Sequence, residues 1–189
     1  LSAPSVTGMV KRLSEQGLLT HEPYRGVHLT GEGRRIALRM LRRHRLIESY
    51  LVGFLGYRWD AVHDEAERLE HAVSDDLVER MAAALGHPAV DPHGDPIPSA
   101  DGTIEKAHYT PLTQFSAGEA AEIRQVTTND AERLRYYRIN PRGDRRYRHG
   151  DLQRFIAGLD SAGQGPASGD LRLAPRRRGE TNGFGPAAP

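Results

Sequence analysis

The chain has 189 residues, 38% of them hydrophobic, with a formal net charge of +1 and no cysteine. That length holds one large or two small domains, the absence of thiols excludes disulfides and thiolate metal sites, and the near-zero charge gives no global argument for a polyanionic partner. No run approaches the roughly 18–20 apolar residues of a transmembrane helix and the N-terminus lacks signal-peptide regions, so the expected location is the cytoplasm, with no membrane partner.

Residues 4–16 carry Val6, Met9, Val10 and Leu13 at the three-and-four spacing of an amphipathic helix. Ser2 is a plausible N-cap, Pro4 falls in the first turn, and Gly17 ends the helix. Two short strands, 18–21 and 26–29, then flank the turn Glu22-Pro23-Tyr24-Arg25-Gly26. Helix, link and hairpin in that order make the second half of a winged helix-turn-helix. On this reading Ser2, Ala3, Pro4, Ser5 and Thr7 meet base edges in a major groove, while Lys11, Arg12 and the wing residue Arg25 pair with phosphates. The competing reading is a polar-faced helix beside an ordinary hairpin.

Thr30 can cap the next helix, 31–54, with Ile36, Leu38, Met40, Leu41, Leu46, Ile47, Leu51 and Val52 as its apolar positions. A second helix is expected to begin near Asp60, with Val62, Ala66, Leu69 and Val73 on one face, and Ser74 caps a third that ends near Gly86. Leu41, Ile47, Leu51, Val62, Leu69, Val73, Leu77 and Met81 are the expected core and two-fold interface. The segment 87–102 holds four prolines and reads as a connector, its His93 exposed to solvent. A strand is expected at 121–126 and a short helix at 130–137. Beyond Asn140 the pattern fades apart from 152–159, so 141–189 is expected to be largely disordered, with Arg176-Arg177-Arg178 a solvated run.

Between these helices lies a group of metal-ligating residue types. His44 and Glu48 are four apart, and His63, Glu67, Glu70 and His71 follow at offsets that put them at about 0°, 40°, −20° and 80° on a helix, one face roughly 100° wide. Hard oxygen donors mixed with imidazole suit Mn²⁺ or Fe²⁺, and the same donors would take Zn²⁺, Co²⁺ or Ni²⁺ in vitro. Solvated pairs at four-residue spacing are the bland alternative. A zinc protease is not indicated, because His63-Asp64-Glu65-Ala66-Glu67 lacks a second His four residues on. Neither a glycine-rich phosphate loop nor a nucleophile elbow is present.

The runs Ser2-Ala3-Pro4-Ser5-Val6-Thr7, His44-Arg45-Leu46-Ile47-Glu48, Val62-His63-Asp64-Glu65-Ala66-Glu67-Arg68-Leu69-Glu70-His71-Ala72-Val73-Ser74-Asp75 and Asp91-Pro92-His93-Gly94-Asp95-Pro96-Ile97-Pro98 resemble the diphtheria-toxin-repressor family of metal-dependent regulators. The resemblance covers about 1–102. It implies a homodimeric repressor that binds operator DNA when loaded with metal and controls metal-homeostasis genes. It also implies one metal site from His44, Glu48 and His63 and a neighbouring one from Glu67, Glu70 and His71. Glu67 stands where iron-responsive members carry Cys, which favours the manganese branch.

The fold implied is mainly α: a partial winged helix-turn-helix at 1–30, a helical dimerisation and metal-binding domain at 31–102, a linker and SH3-like remnant at 103–140, and the tail. The family's helices ahead of the recognition helix and its regular C-terminal domain are not recognisable, so a truncation, frameshift or misplaced gene boundary is the expectation for both ends. Two other readings stand beside the repressor. One is a metal-binding helical enzyme with Glu65 or Glu70 as general base; the other is a metal-independent winged-helix DNA-binding module.

Overall fold

The computed structural model describes residues 2–22, 24–105, 108–114, 121–137 and 170–175. In chain order the elements are α1 (Ala3–Glu15), β1 (Leu19–Glu22), β2 (Gly26–Leu29), α2 (Gly31–Phe54), α3 (His63–Glu70), α4 (Asp75–Ala84), β3 (Thr110–Pro111), β4 (Ala121–Val126), α5 (Ala131–Tyr137) and β5 (Leu171–Pro175). The chain divides into two units: Leu1–Gly56 with Asp64–Asp91 and Pro96–Lys106, and Tyr57–His63 with Pro92–Asp95 and Ala107–Pro189.

In the first unit the helix starts follow their capping side chains. Ser2 Oγ accepts from Ser5 N (3.4 Å), Thr30 Oγ1 from Gly33 N (3.1 Å) and Ser74 Oγ from Leu77 N (3.2 Å). β1 and β2 pair antiparallel with Leu19 opposite Leu29 and Glu22 opposite Gly26. The hairpin is tied back to both neighbouring helices: Leu18 N donates to Leu13 O (2.9 Å), and Thr30 Oγ1 donates to Gly17 O (2.7 Å). Gly33 is required here because a Cβ would sit 1.8 Å from Leu18 O.

The core of this unit is Leu46 from α2, Val78 and Ala82 from α4, and Ile97 from the connector, with Val73 and Leu85 packed against them. Around it, Arg42 holds Glu79 on α4 (2.8 Å) and the Pro98 carbonyl (2.9 Å), and Arg45 donates to Pro96 O. Of the expected core residues, Ile47, Leu51 and Val62 are buried, Leu41, Leu69, Val73 and Met81 are half-buried, and Leu77 is 41% exposed.

The second unit contains a three-stranded antiparallel sheet in the order β3-β5-β4, with a register shift between Ile123 and Gln125. Its buried residues include Trp59, Val62, Leu112, Ile123, Val126, Leu134, Leu171 and Leu173.

Three sequence expectations are corrected. The tail is not without regular structure at Leu171–Pro175, where β5 is the central strand of the sheet and Leu171 and Leu173 are fully buried. The helix expected from near Asp60 begins at His63 instead, because residues 60–62 form a turn in which Ala61 N donates to Arg58 O (3.0 Å). His93 is not exposed; only 5% of it is accessible. The run Arg176–Arg178 and the segments 141–169 and 176–189 lie outside the described residues.

Candidate metal centre and nucleic-acid surface

Helix α2 carries His44 and Glu48 one turn apart on the side where α3 ends, so the two helices bring three of the predicted ligands together. His44 Nδ1 lies 2.7 Å from Glu70 Oε2, and His44 Nε2 lies 3.0 Å from Glu48 Oε1. Both ring nitrogens are thus held by carboxylates. Glu48 is nearly inaccessible at 3% of its side chain, against 14% for Glu70 and 15% for His44. A buried carboxylate needs a counter-charge, and here that role falls first to the imidazole.

Burial is the largest single influence on His44 and favours its neutral form. The hydrogen bonds and charges of Glu48 and Glu70 outweigh it and hold the ring's pKa above the ordinary histidine value.

Of the remaining predicted ligands, Glu67 and His71 are less converged. Glu67 is exposed on α3, and His63 is the half-buried first residue of that helix. His71 is not on the helix with the others; α3 ends at Glu70, and His71 sits in the following turn, 71% exposed, with Nε2 3.5 Å from Glu70 Oε1. The helix expected to carry His71 thus stops one residue short of it. Glu70 still reaches both His44 and His71 through its two oxygens.

Asp91 was not singled out in the sequence, yet it belongs beside this group. Its carboxylate is 3% exposed, it lies 3.6 Å from Arg45 Nε, and its oxygen is within 4.8 Å of a Glu48 oxygen. Arg45 sits between His44 and Glu48 in the chain and also donates to the Pro96 carbonyl in the connector. The signal that could have found Asp91 is an acidic residue among prolines, since a connector restrained by Pro92 and Pro96 can hold a carboxylate in place.

The donor set fits a divalent transition metal. One imidazole and two carboxylates converge, two of the three side chains are mostly buried and the third almost wholly, and no sulfur competes. Such an ion would replace the proton that His44 now shares with its carboxylate neighbours, so binding would release protons.

At the other end of the first unit, α1 presents the predicted DNA-facing side chains to solvent. Ser2, Ala3, Pro4, Ser5, Thr7, Lys11 and Arg12 are all exposed, as is Arg25 in the hairpin turn. Ser2 and Ser5 share a hydroxyl contact (2.8 Å) and Thr7 Oγ1 donates to Ala3 O (3.1 Å), so these hydroxyls are fixed while retaining free lone pairs. Lys11 pairs loosely with Glu15 (3.9 Å) and Arg25 with Glu22 (3.7 Å). Exposed pairs of this kind are worth little and yield readily to a phosphate. No helix among the described residues is long and apolar enough to cross a membrane.

Comparison with known proteins places both regions. Residues 30–99 match the iron dependent repressor metal binding and dimerisation domain, and residues 1–27 match the iron dependent repressor N-terminal DNA binding domain. The iron-dependent repressor IdeR of Mycobacterium tuberculosis is 36% identical over 135 residues, covering 67% of this chain and 59% of the relative. The chain thus spans about three-fifths of the length of that relative. Two solved structures, a manganese-dependent transcriptional repressor and one in complex with manganese, are 48% and 49% identical with TM-scores of 0.63 and 0.67. They cover 71% and 72% of this chain, which spans 69% and 63% of theirs. With a DNA-binding match over α1 and its hairpin and a metal-binding match over α2 to the connector, the chain belongs to the iron-dependent, or diphtheria-toxin, repressor family.

Proposed function

We propose that this protein is a metal-activated transcriptional repressor that binds operator DNA as a homodimer and senses Mn²⁺ or Fe²⁺. The observation that carries the reading is His44 held between Glu48 and Glu70, mostly out of water. His63, Glu67 and His71 are the further donors proposed. Glu67 in place of a softer thiolate favours Mn²⁺.

The residues act in a defined division of labour. Glu48 and Glu70 supply hard oxygen and orient the His44 ring; Arg45 and Asp91 hold the connector against α2. Ser2, Ala3, Pro4, Ser5 and Thr7 face base edges, and Lys11, Arg12 and Arg25 face phosphates. A bound ion supplies the positive charge and fixed geometry that protons cannot. Activation requires that the DNA-competent arrangement bind metal more tightly than its alternative, since only differential affinity shifts the population. No substrate is turned over.

The test is binding of a labelled promoter duplex by the full-length gene product, with and without Mn²⁺, Fe²⁺ or Zn²⁺, beside His44→Ala. Binding that appears only with metal, most readily with Mn²⁺, and disappears in H44A is expected. Equal binding without metal refutes the switch and leaves a metal-independent DNA-binding module; tight metal uptake by H44A refutes the site.

A further inference from the structure

His44, Arg45, Glu48 and Asp91 all belong to the first unit, and that unit by itself fixes where Asp91 stands. Val90 bridges Pro96 and Ile97 N donates to Ala89 O (2.8 Å), so two stretches of the connector are closed on each other. Ile97 belongs to the same core as Leu46, while Arg42 and Arg45 of α2 donate to the carbonyls of Pro98 and Pro96. A connector tied to α2 at these points holds Asp91 beside the turn that carries Arg45 and Glu48.

That place is costly for a carboxylate. Glu48 and Asp91 are each 3% exposed at the side chain, and an oxygen of one lies within 4.8 Å of an oxygen of the other. Buried like charges this close disfavour each other, and both have lost most of the water that would screen them. His44 Nε2 meets Glu48 at 3.0 Å, whereas Arg45 Nε stays 3.6 Å from Asp91, longer than a hydrogen bond. A divalent cation shared by the two carboxylates would relieve both at once.

We infer that Asp91 is a further ligand of the ion bound by His44 and Glu48, supplying a hard oxygen from the connector. This role rests on the reading of His44 and Glu48 as ligands, and it makes Arg45 a positioning residue that steers the Asp91 carboxylate. Oxygens on opposite sides of one transition-metal ion stand about 4.0–4.4 Å apart, so the observed separation needs little side-chain movement to close. A second carboxylate beside the imidazole tilts the donor set toward hard ions such as Mn²⁺. The ion then fastens the connector to α2, which gives metal binding a mechanical consequence inside this unit.

The chain has no cysteine, so Asp91→Cys introduces its single thiol. Loaded with Co²⁺, the full chain carrying D91C is expected to show a thiolate-to-cobalt charge-transfer band in the near ultraviolet, which requires a direct bond to the ion. Asp91→Asn, nearly isosteric, is expected to weaken Mn²⁺ binding, read by electron paramagnetic resonance titration, about 100-fold, the upper end of what loss of an outer partner produces. The same loss is expected in an Arg45→Met background. Co²⁺ uptake by D91C without the band overturns the ligand role. So does a D91N effect that vanishes in R45M, which leaves Asp91 an ion-pair partner of Arg45 and nothing more. Should D91C fold poorly or fail to load, the D91N and R45M cycle decides alone. Wild type that takes up no Mn²⁺, or H44A that takes it up unchanged, removes the metal centre itself; wild-type binding that D91N leaves unchanged overturns only the role of Asp91.

Discussion

Helix α1 runs 13 residues without burying one of them, whereas α2 buries Gly33, Leu46, Ile47, Glu48, Ser49 and Leu51. Both are amphipathic, and Val6 and Met9 on α1 remain 45% and 43% exposed. A helix of that length is marginal alone in water, so α1 depends on its Ser2 cap and on the hairpin that takes up its C-terminal end. The second helix is scaffold: its C-terminal half carries core and the candidate ligands His44 and Glu48, and its middle carries the arginines Arg39, Arg42 and Arg43 that pair with α4. One element is displayed and the other is packed, which is the division expected of a reading surface and a sensor.

That contrast is open to attack at four points. The largest effect should come from Leu46→Ala, which removes a fully buried side chain from the α2–α4 core and is expected to cost about 2–5 kcal/mol by urea unfolding. A loss below about 1 kcal/mol would mean that α2 is not the scaffold. Next, Gly33→Ala drives a Cβ into the Leu18 carbonyl and should cost about 1–3 kcal/mol. Gly8→Ala is its mirror on α1, where nothing lies within 4 Å of the added atom. It should stabilise the helix by up to about 1 kcal/mol, seen as increased ellipticity. If both glycine substitutions change stability in the same direction, the distinction between displayed and packed helix collapses.

The smallest effect concerns the Arg42–Glu79 pair that links α2 to α4. The hydrogen bond from Arg42 lowers the Glu79 pKa below its ordinary value, with burial opposing. A depressed folded pKa means stability present above the unfolded pKa and lost as pH falls through the folded one. Glu79 is 50% exposed, so the pair is worth only about 0.2–1 kcal/mol after solvent screening. Wild type should exceed Glu79→Gln by that margin at neutral pH, and the difference should vanish on acidification below the carboxylate range. A difference that persists in acid would mean that packing, not charge, joins the helices there.

The parts legible in sequence were those decided by neighbours within a few residues. Thr30 and the apolar spacing that follows it place α2 at Gly31–Phe54, the same bounds as read from the chain. His44 and Glu48 were found because four residues is one helical turn, and the family resemblance then supplied the roles of Glu67, Glu70 and His71. The misses share a different cause. Leu171 and Leu173 alternate over too few residues to announce a strand, and β4 and β3, which pair with them, lie at 121–126 and 110–111. His93 sits among prolines and reads as exposed, yet β4 buries it.

By itself the sequence determined the helices with their caps, the hairpin, the residue types able to hold a transition metal, and the exclusion of thiolate chemistry. These follow from local backbone preference and side-chain chemistry, which need no partner distant in the chain. Only the tertiary structure decided that Glu70 reaches back to His44 across 26 residues, that Asp91 joins Glu48, that α3 stops before His71, and that β5 completes a sheet. Burial and long-range pairing depend on which surfaces meet, and no periodicity within one segment records where its partner lies.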